Sequence, residues 1–94
     1  MNELNVLVDI FKKCYEISKN TKADCFFDYS PHVNGIDISA YPQGFAHKDE
    51  AESVYVSRQG EWQERANTIY IDELNADLIF KALGELEKEA KSND

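Results

Sequence analysis

The sequence predicts a two-layer α+β domain, ordered αββββα, with a four-stranded antiparallel meander and both helices on one face of it. Three observations predict this. Apolar residues recur at helical spacing near both ends of the chain and alternate at strand spacing between them. The strand-like segments are joined by short connections marked with Asn-Gly, Pro and Gly, which favour hairpins over crossovers. The length, 94 residues with 43% apolar and 12% aromatic, suits one core between two packed layers. One domain is expected over 1–90, with 91–94 a frayed tail.

From Asn2 to about Asn20, Leu4, Leu7, Val8, Phe11 and Tyr15 make one apolar stripe of a helix. Val6, Ile10 and Ile17 make a second stripe more than a quarter-turn away, with Cys14 between the two. A helix apolar over half its girth is covered on more than one side. Its neighbours should be the sheet and either the second helix or another copy of the chain, and Val6, Ile10 and Ile17 are marked as self-association residues together with Phe80.

The first strand is expected over Cys25–Tyr29 and ends at Ser30-Pro31. The second runs from Gly35 to Tyr41 after the turn signal Asn34-Gly35, and closes at Pro42 and Gly44. Ser53–Ser57 reads as the third strand and Asn67–Ile71 as the fourth. The stretch Glu61–Arg65 fits either an extension of a strand or a helical turn. Asn75 is a good N-cap for a closing helix that reaches about Ala90. Its stripe is Leu78, Ile79, Ala82, Leu83 and Leu86, with Phe80 off it.

Strand period sorts the side chains into two sets. Cys25, Phe27, Tyr29, Ile36, Ile38, Ala40, Val54, Val56, Ile69 and Ile71 should face the helices. Phe26, Asp28, Asp37, Ser39, Tyr41, Ser53, Tyr55, Ser57, Thr68 and Tyr70 should face away. The second set carries one large aromatic per strand among carboxylates and hydroxyls. Tyrosine suits interfaces because its large ring is rigid and its tip is polar. The same residues also have high strand propensity, which accounts for much of the pattern without any partner.

Charge narrows the function. Eighteen acidic residues against ten basic ones leave a net charge of −8. Residues 48–94 carry −6 of it, in the loop Asp49–Glu52, in Glu61–Glu64 and in the last helix. Such a chain repels phosphates and anionic membranes and favours basic partners. Direct nucleic-acid binding is therefore not expected, and no apolar run is long enough for a membrane helix. The N-terminus lacks the features of a signal peptide, and Cys14 and Cys25 lack CxxC spacing. Both are read as reduced thiols of a cytoplasmic protein, with a single disulfide between them as the alternative.

No catalytic, metal or cofactor motif stands out. His47-Lys48-Asp49-Glu50 sets an imidazole beside two carboxylates, but with no second ligand cluster it reads as a solvated loop. Cys14 and Cys25 fall on apolar faces, where thiols are inert. Trp62 is either a plug over one end of the sheet or, if exposed, a binding anchor. The chain is therefore expected to be a small non-enzymatic module that engages a basic protein through Phe26, Asp28, Asp37, Tyr41, Tyr55, Tyr70 and Trp62. Competition with nucleic acid by charge mimicry is one specific form, and small acidic proteins of phages and mobile elements share this size and charge. A self-associating structural protein, such as a homodimer, is the first alternative. A small-molecule-binding protein or enzyme is the second.

Overall fold

The protein is described by a computed structural model that covers residues 3–47, 49 and 52–92, without the side chains of His47 and Ser92. Apolar periodicity produces two long helices, α1 (Glu3–Asn20) and α2 (Ala76–Ser92). Between them lie five strands: β1 (Asp24–Ser30), β2 (Gly35–Tyr41), β3 (Val54–Val56), β4 (Trp62–Gln63) and β5 (Ile69–Tyr70). Short 3-10 turns at Phe45–His47 and Ile71–Glu73 complete the order. The α+β class, the antiparallel sheet and the helix–strands–helix order are as the sequence predicts.

Strands β1 to β4 form an antiparallel meander. The ambiguous stretch after Gly60 supplies β4, which pairs Tyr55 with Gln63 and Val56 with Trp62. The last strand, β5, does not extend that meander. It returns to β2 and pairs Gly35 with Tyr70 and Ile36 with Ile69. The edge of β2 away from β1 is thus shared between two strands, β3 at Ser39 and Ala40 and β5 at Gly35 and Ile36.

Turn chemistry sets this register. Asn34 takes a left-handed conformation (φ 51°) at the end of the β1–β2 loop, and its carbonyl accepts the Ile71 N–H at 2.9 Å, which fastens β5 in place. The β3–β4 loop turns on Gly60 (φ 81°). A Cβ at Gly60 would stand 2.5 Å from the Leu78 carbonyl oxygen, so the hairpin can lie against α2 only with glycine there. Ser57 is drawn into this loop, where its hydroxyl accepts the Glu61 N–H and is buried rather than displayed on a sheet face.

Both helices lie on one face of the sheet. Ile36, Ile38 and Ala40, alternate residues of β2, share one core with Ile10, Cys14 and Ile17 of α1 and Ile79, Ala82, Leu83 and Leu86 of α2. Asn75 caps α2 as its sequence suggests: its side-chain oxygen accepts the Asp77 and Leu78 N–H groups at 3.1 and 3.4 Å. The helix continues through Lys91 and Ser92, which had been expected to fray, and the last two residues lie outside those described. Ser18 joins α1 to the start of β1, since its hydroxyl accepts the Cys25 N–H at 2.9 Å.

The core takes the second stripe of α1 and leaves most of the first outside. Ile10 and Ile17 are fully buried and Val6 packs against the core. Leu4, Val8, Phe11 and Tyr15 are 41–64% exposed. The reason is the position of α2. Helix α1 turns toward it the face that carries Lys13, whose ammonium lies 2.8 Å from Glu87, so the face about 170° away is left outside. Phe80 likewise packs against the core and is half-buried. Val6, Ile10, Ile17 and Phe80 therefore do not form an outer surface.

Candidate functional site

The sheet face opposite the helices is the candidate site. Cross-strand register orders it. Along β2, Gly35 lies beside Tyr70, Asp37 beside Asp28, Ser39 between Phe26 and Tyr55, and Tyr41 beside Asp24. Alternation therefore places Phe26, Asp28, Asp37, Tyr41, Tyr55 and Tyr70 on one face. Phe26 and Tyr70 are exposed, and Tyr41 and Tyr55 are half-buried. Among the described residues, no helix covers this side.

The aromatics are not evenly spread. Phe26, Tyr41 and Phe45 form a mutually edge-on trio with centroid separations of 5.3–6.0 Å. Such pairs each add roughly 0.5–1.5 kcal/mol beyond area burial. Phe45 reaches the trio from the 3-10 turn after β2. Its N–H donates to Asp24 Oδ2 at 2.8 Å, and the preceding Gly44 (φ 98°) donates its N–H to the Tyr41 carbonyl. A loop aromatic has no periodic neighbours, so only the turn signal Pro42–Gly44 pointed to this segment. Tyr70 stands at the other end of the face, beyond the aspartates, and does not join the trio.

Asp28 and Asp37 are direct cross-strand partners. Like charges placed so oppose each other and destabilise the sheet. Among the described residues, no lysine or arginine occupies a strand position. Asp24 adds a third carboxylate beside the aromatic trio.

Trp62 belongs elsewhere. It lies opposite Val56 on the helix side, is half-buried, packs against the core and donates its indole N–H to the Ala82 carbonyl at 2.9 Å. It is the plug over the sheet end and is removed from the open face. Tyr29 shares the helix side by register, yet it is 49% exposed and its hydroxyl sits 3.4 Å from Asn34 Oδ1.

The cysteines are free thiols, Cys14 buried and Cys25 half-buried. A hydrogen bond with Cys14, together with burial, pushes the Cys25 thiol above its ordinary range, so little thiolate forms near neutrality. Open hollows flank α1 beside Ile71–Glu73, along Val8 and Phe11, and at Lys12 and Tyr15, and none of these is lined by a cysteine. Among the described residues, no three His, Cys, Asp or Glu side chains are placed to hold a metal. The side chain of His47, Lys48, Glu50 and Ala51 lie outside those described, so the His47–Glu50 loop and part of the acidic Asp49–Glu52 loop do too. Among the described residues, no helix is long and apolar enough to cross a membrane.

Compared with protein-family models, with curated proteins and with solved structures, the chain matches none.

Proposed function

We propose that this chain is a non-catalytic binding module whose open sheet face engages a basic segment of another protein. The observation that carries the reading is the facing pair Asp28 and Asp37, set beside the Phe26–Tyr41–Phe45 trio. A chain selected for stability alone gains nothing from two aspartates in register on a solvent-facing sheet. A lysine or arginine laid between them would relieve their repulsion and form charge-assisted hydrogen bonds. The rings beside them would hold the aliphatic stem of such a side chain, or the guanidinium itself. The net charge of −8 adds attraction at long range and disfavours nucleic acid as a direct ligand. A basic nucleic-acid-binding protein, competed for by charge mimicry, is one partner of this kind.

Affinity capture from cell lysate, followed by mass spectrometry, tests the reading. The wild-type protein should retain a basic protein that is lost on Asp28→Asn with Asp37→Asn and, separately, on Tyr41→Ala with Tyr55→Ala. Retention should also fall as salt is raised. Capture unchanged by both pairs of substitutions would exclude the sheet face.

A further inference from the structure

We infer that the free edge of β1 is where the partner docks, and that the partner joins the sheet as an extended strand, apolar on one side and basic on the other. This names the mode of binding and the chemistry of the partner, and it rests on the open-face reading above. Strand β1 ends the sheet, and among the described residues no strand lies beyond it. Ser18 shows which backbone groups point out of that edge. Its hydroxyl accepts the Cys25 N–H at 2.9 Å and lies 3.2 Å from the Cys25 carbonyl oxygen, so both groups of Cys25 turn away from β2. Bonding direction alternates along an antiparallel strand, so Phe27 and Tyr29 turn theirs outward too, while Phe26 and Asp28 face β2. Ser18 closes the edge at Cys25. Beyond it the strand has no proline, lysine or bulge of the kind that guards an edge from pairing.

An added strand sets its side chains alternately on the two faces of the sheet. Those level with Phe27 and Tyr29 meet an apolar groove of about 480 Å³ between β1 and α1, lined by Leu4, Leu7, Val8 and Phe11. Those level with Asp28 stand on the open face, within reach of Asp28 and its cross-strand partner Asp37. An apolar residue there leaves the two carboxylates opposed, and an acidic one adds to their repulsion. A lysine or arginine relieves it. A second copy of β1 would bring its own Asp24 and Asp28 to a face that already holds Asp24, Asp28 and Asp37, so the chain's own edge is disfavoured as the occupant. In this mode the backbone bonds to Phe27 and Tyr29 supply affinity, and the groove and the aspartates select alternate side chains.

A synthetic peptide of alternating lysine and valine, about seven residues long, is the probe. It should bind with a Kd of roughly 10–100 µM. A peptide of the same composition in scrambled order, and one alternating glutamate with valine, should each bind at least about tenfold more weakly. Amide hydrogen exchange followed by NMR locates the probe without any substitution. The Phe27 and Tyr29 N–H groups should exchange readily in the free protein and at least about tenfold more slowly with the peptide at saturation. Tyr29→Pro removes an outward N–H and no bond to β2, so it should weaken binding by a similar factor while the amides of β2 stay protected. A peptide that fails to bind, or that binds equally well when scrambled, overturns the inference. So does exchange at Phe27 and Tyr29 that slows with protein concentration alone, which would put a second copy on the edge. Binding that is lost on Asp28→Asn with Asp37→Asn but leaves the Phe27 and Tyr29 amides unprotected overturns the edge and keeps the open-face reading. Protection of those amides that is undiminished by the same two substitutions overturns the open-face reading and the basic side of the strand with it.

Discussion

Two aromatic surfaces are left exposed, and they differ in the charge around them. On the sheet, Phe26, Tyr41 and Phe45 are bordered by Asp24, Asp28 and Asp37 with no basic strand residue among them. On α1, Val8, Phe11 and Tyr15 are bordered by both signs, and Lys19 lies over the Tyr15 ring at 6.0 Å. Apolar area alone would make these patches interchangeable. Their borders do not, because a patch ringed by one sign rejects its own copy and selects the opposite sign, whereas a patch with both signs can match itself. The comparison teaches that partner choice in a small acidic chain is written in where the positive charges are kept.

The largest effect that bears on this comparison concerns two adjacent residues of α1. Ile10 is fully buried and Phe11 is 53% exposed. Ile10→Ala should cost about 2–5 kcal/mol in urea unfolding, as expected for a core cavity. Phe11→Ala removes a larger side chain but should cost only about 1 kcal/mol or less, mostly its edge contact with Phe27. Equal costs would mean that the outer stripe is core after all, and the contrast between the two surfaces would collapse.

That pair also shows what could be read in advance. Alternation in Gly35–Tyr41 was legible because a seven-residue strand buried on one side leaves a strong period-two signal, and β2 alternates as expected. The Asn75 cap and the Asn34-Gly35 turn were legible because their chemistry is local. The inward face of α1 was not, because both of its stripes are apolar and only the position of α2 chooses between them. The return of β5 to β2 was equally hidden: strand pairing is a tertiary choice, made here through the Gly35–Tyr70 and Ile36–Ile69 pairs and the backbone bond from Ile71 to Asn34. Of the face itself, the tyrosines and aspartates were found by parity. Phe45 was missed and Trp62 was left open between plug and anchor, because both lie in short irregular segments with no period to follow.

A middle-sized effect would sharpen the case for the sheet surface. Two carboxylates about 5 Å apart repel by about 1 kcal/mol in a water-like medium. Asp37→Asn removes that repulsion while keeping the side-chain shape, so it should stabilise the fold by about 0.5–1 kcal/mol, or about 3–6 °C in Tm. Partner capture should fall in the same variant. Stability that rises while binding falls is the behaviour of a charge pair kept for recognition. An unchanged or lowered Tm would mean that Asp28 and Asp37 do not oppose each other, and would remove their claim to a role.

The smallest effect tests the contact that turns α1 and thereby exposes its outer stripe. The Lys13 ammonium holds the Glu87 carboxyl below its ordinary range, outweighing a modest opposing effect of burial, with Lys91 adding a weaker attraction at 3.9 Å. A carboxyl depressed in the folded state stabilises the fold fully above its unfolded value of about 4.3, and the contribution is lost as pH falls through the lower folded value. Both side chains keep about a quarter of their surface in water, so the pair is worth only about 0.5–1 kcal/mol. Glu87→Gln should therefore be slightly less stable than wild type at pH 7, and the gap should close by about pH 3. A gap that persists at pH 3 would show that shape rather than charge sets the rotation of α1 against α2.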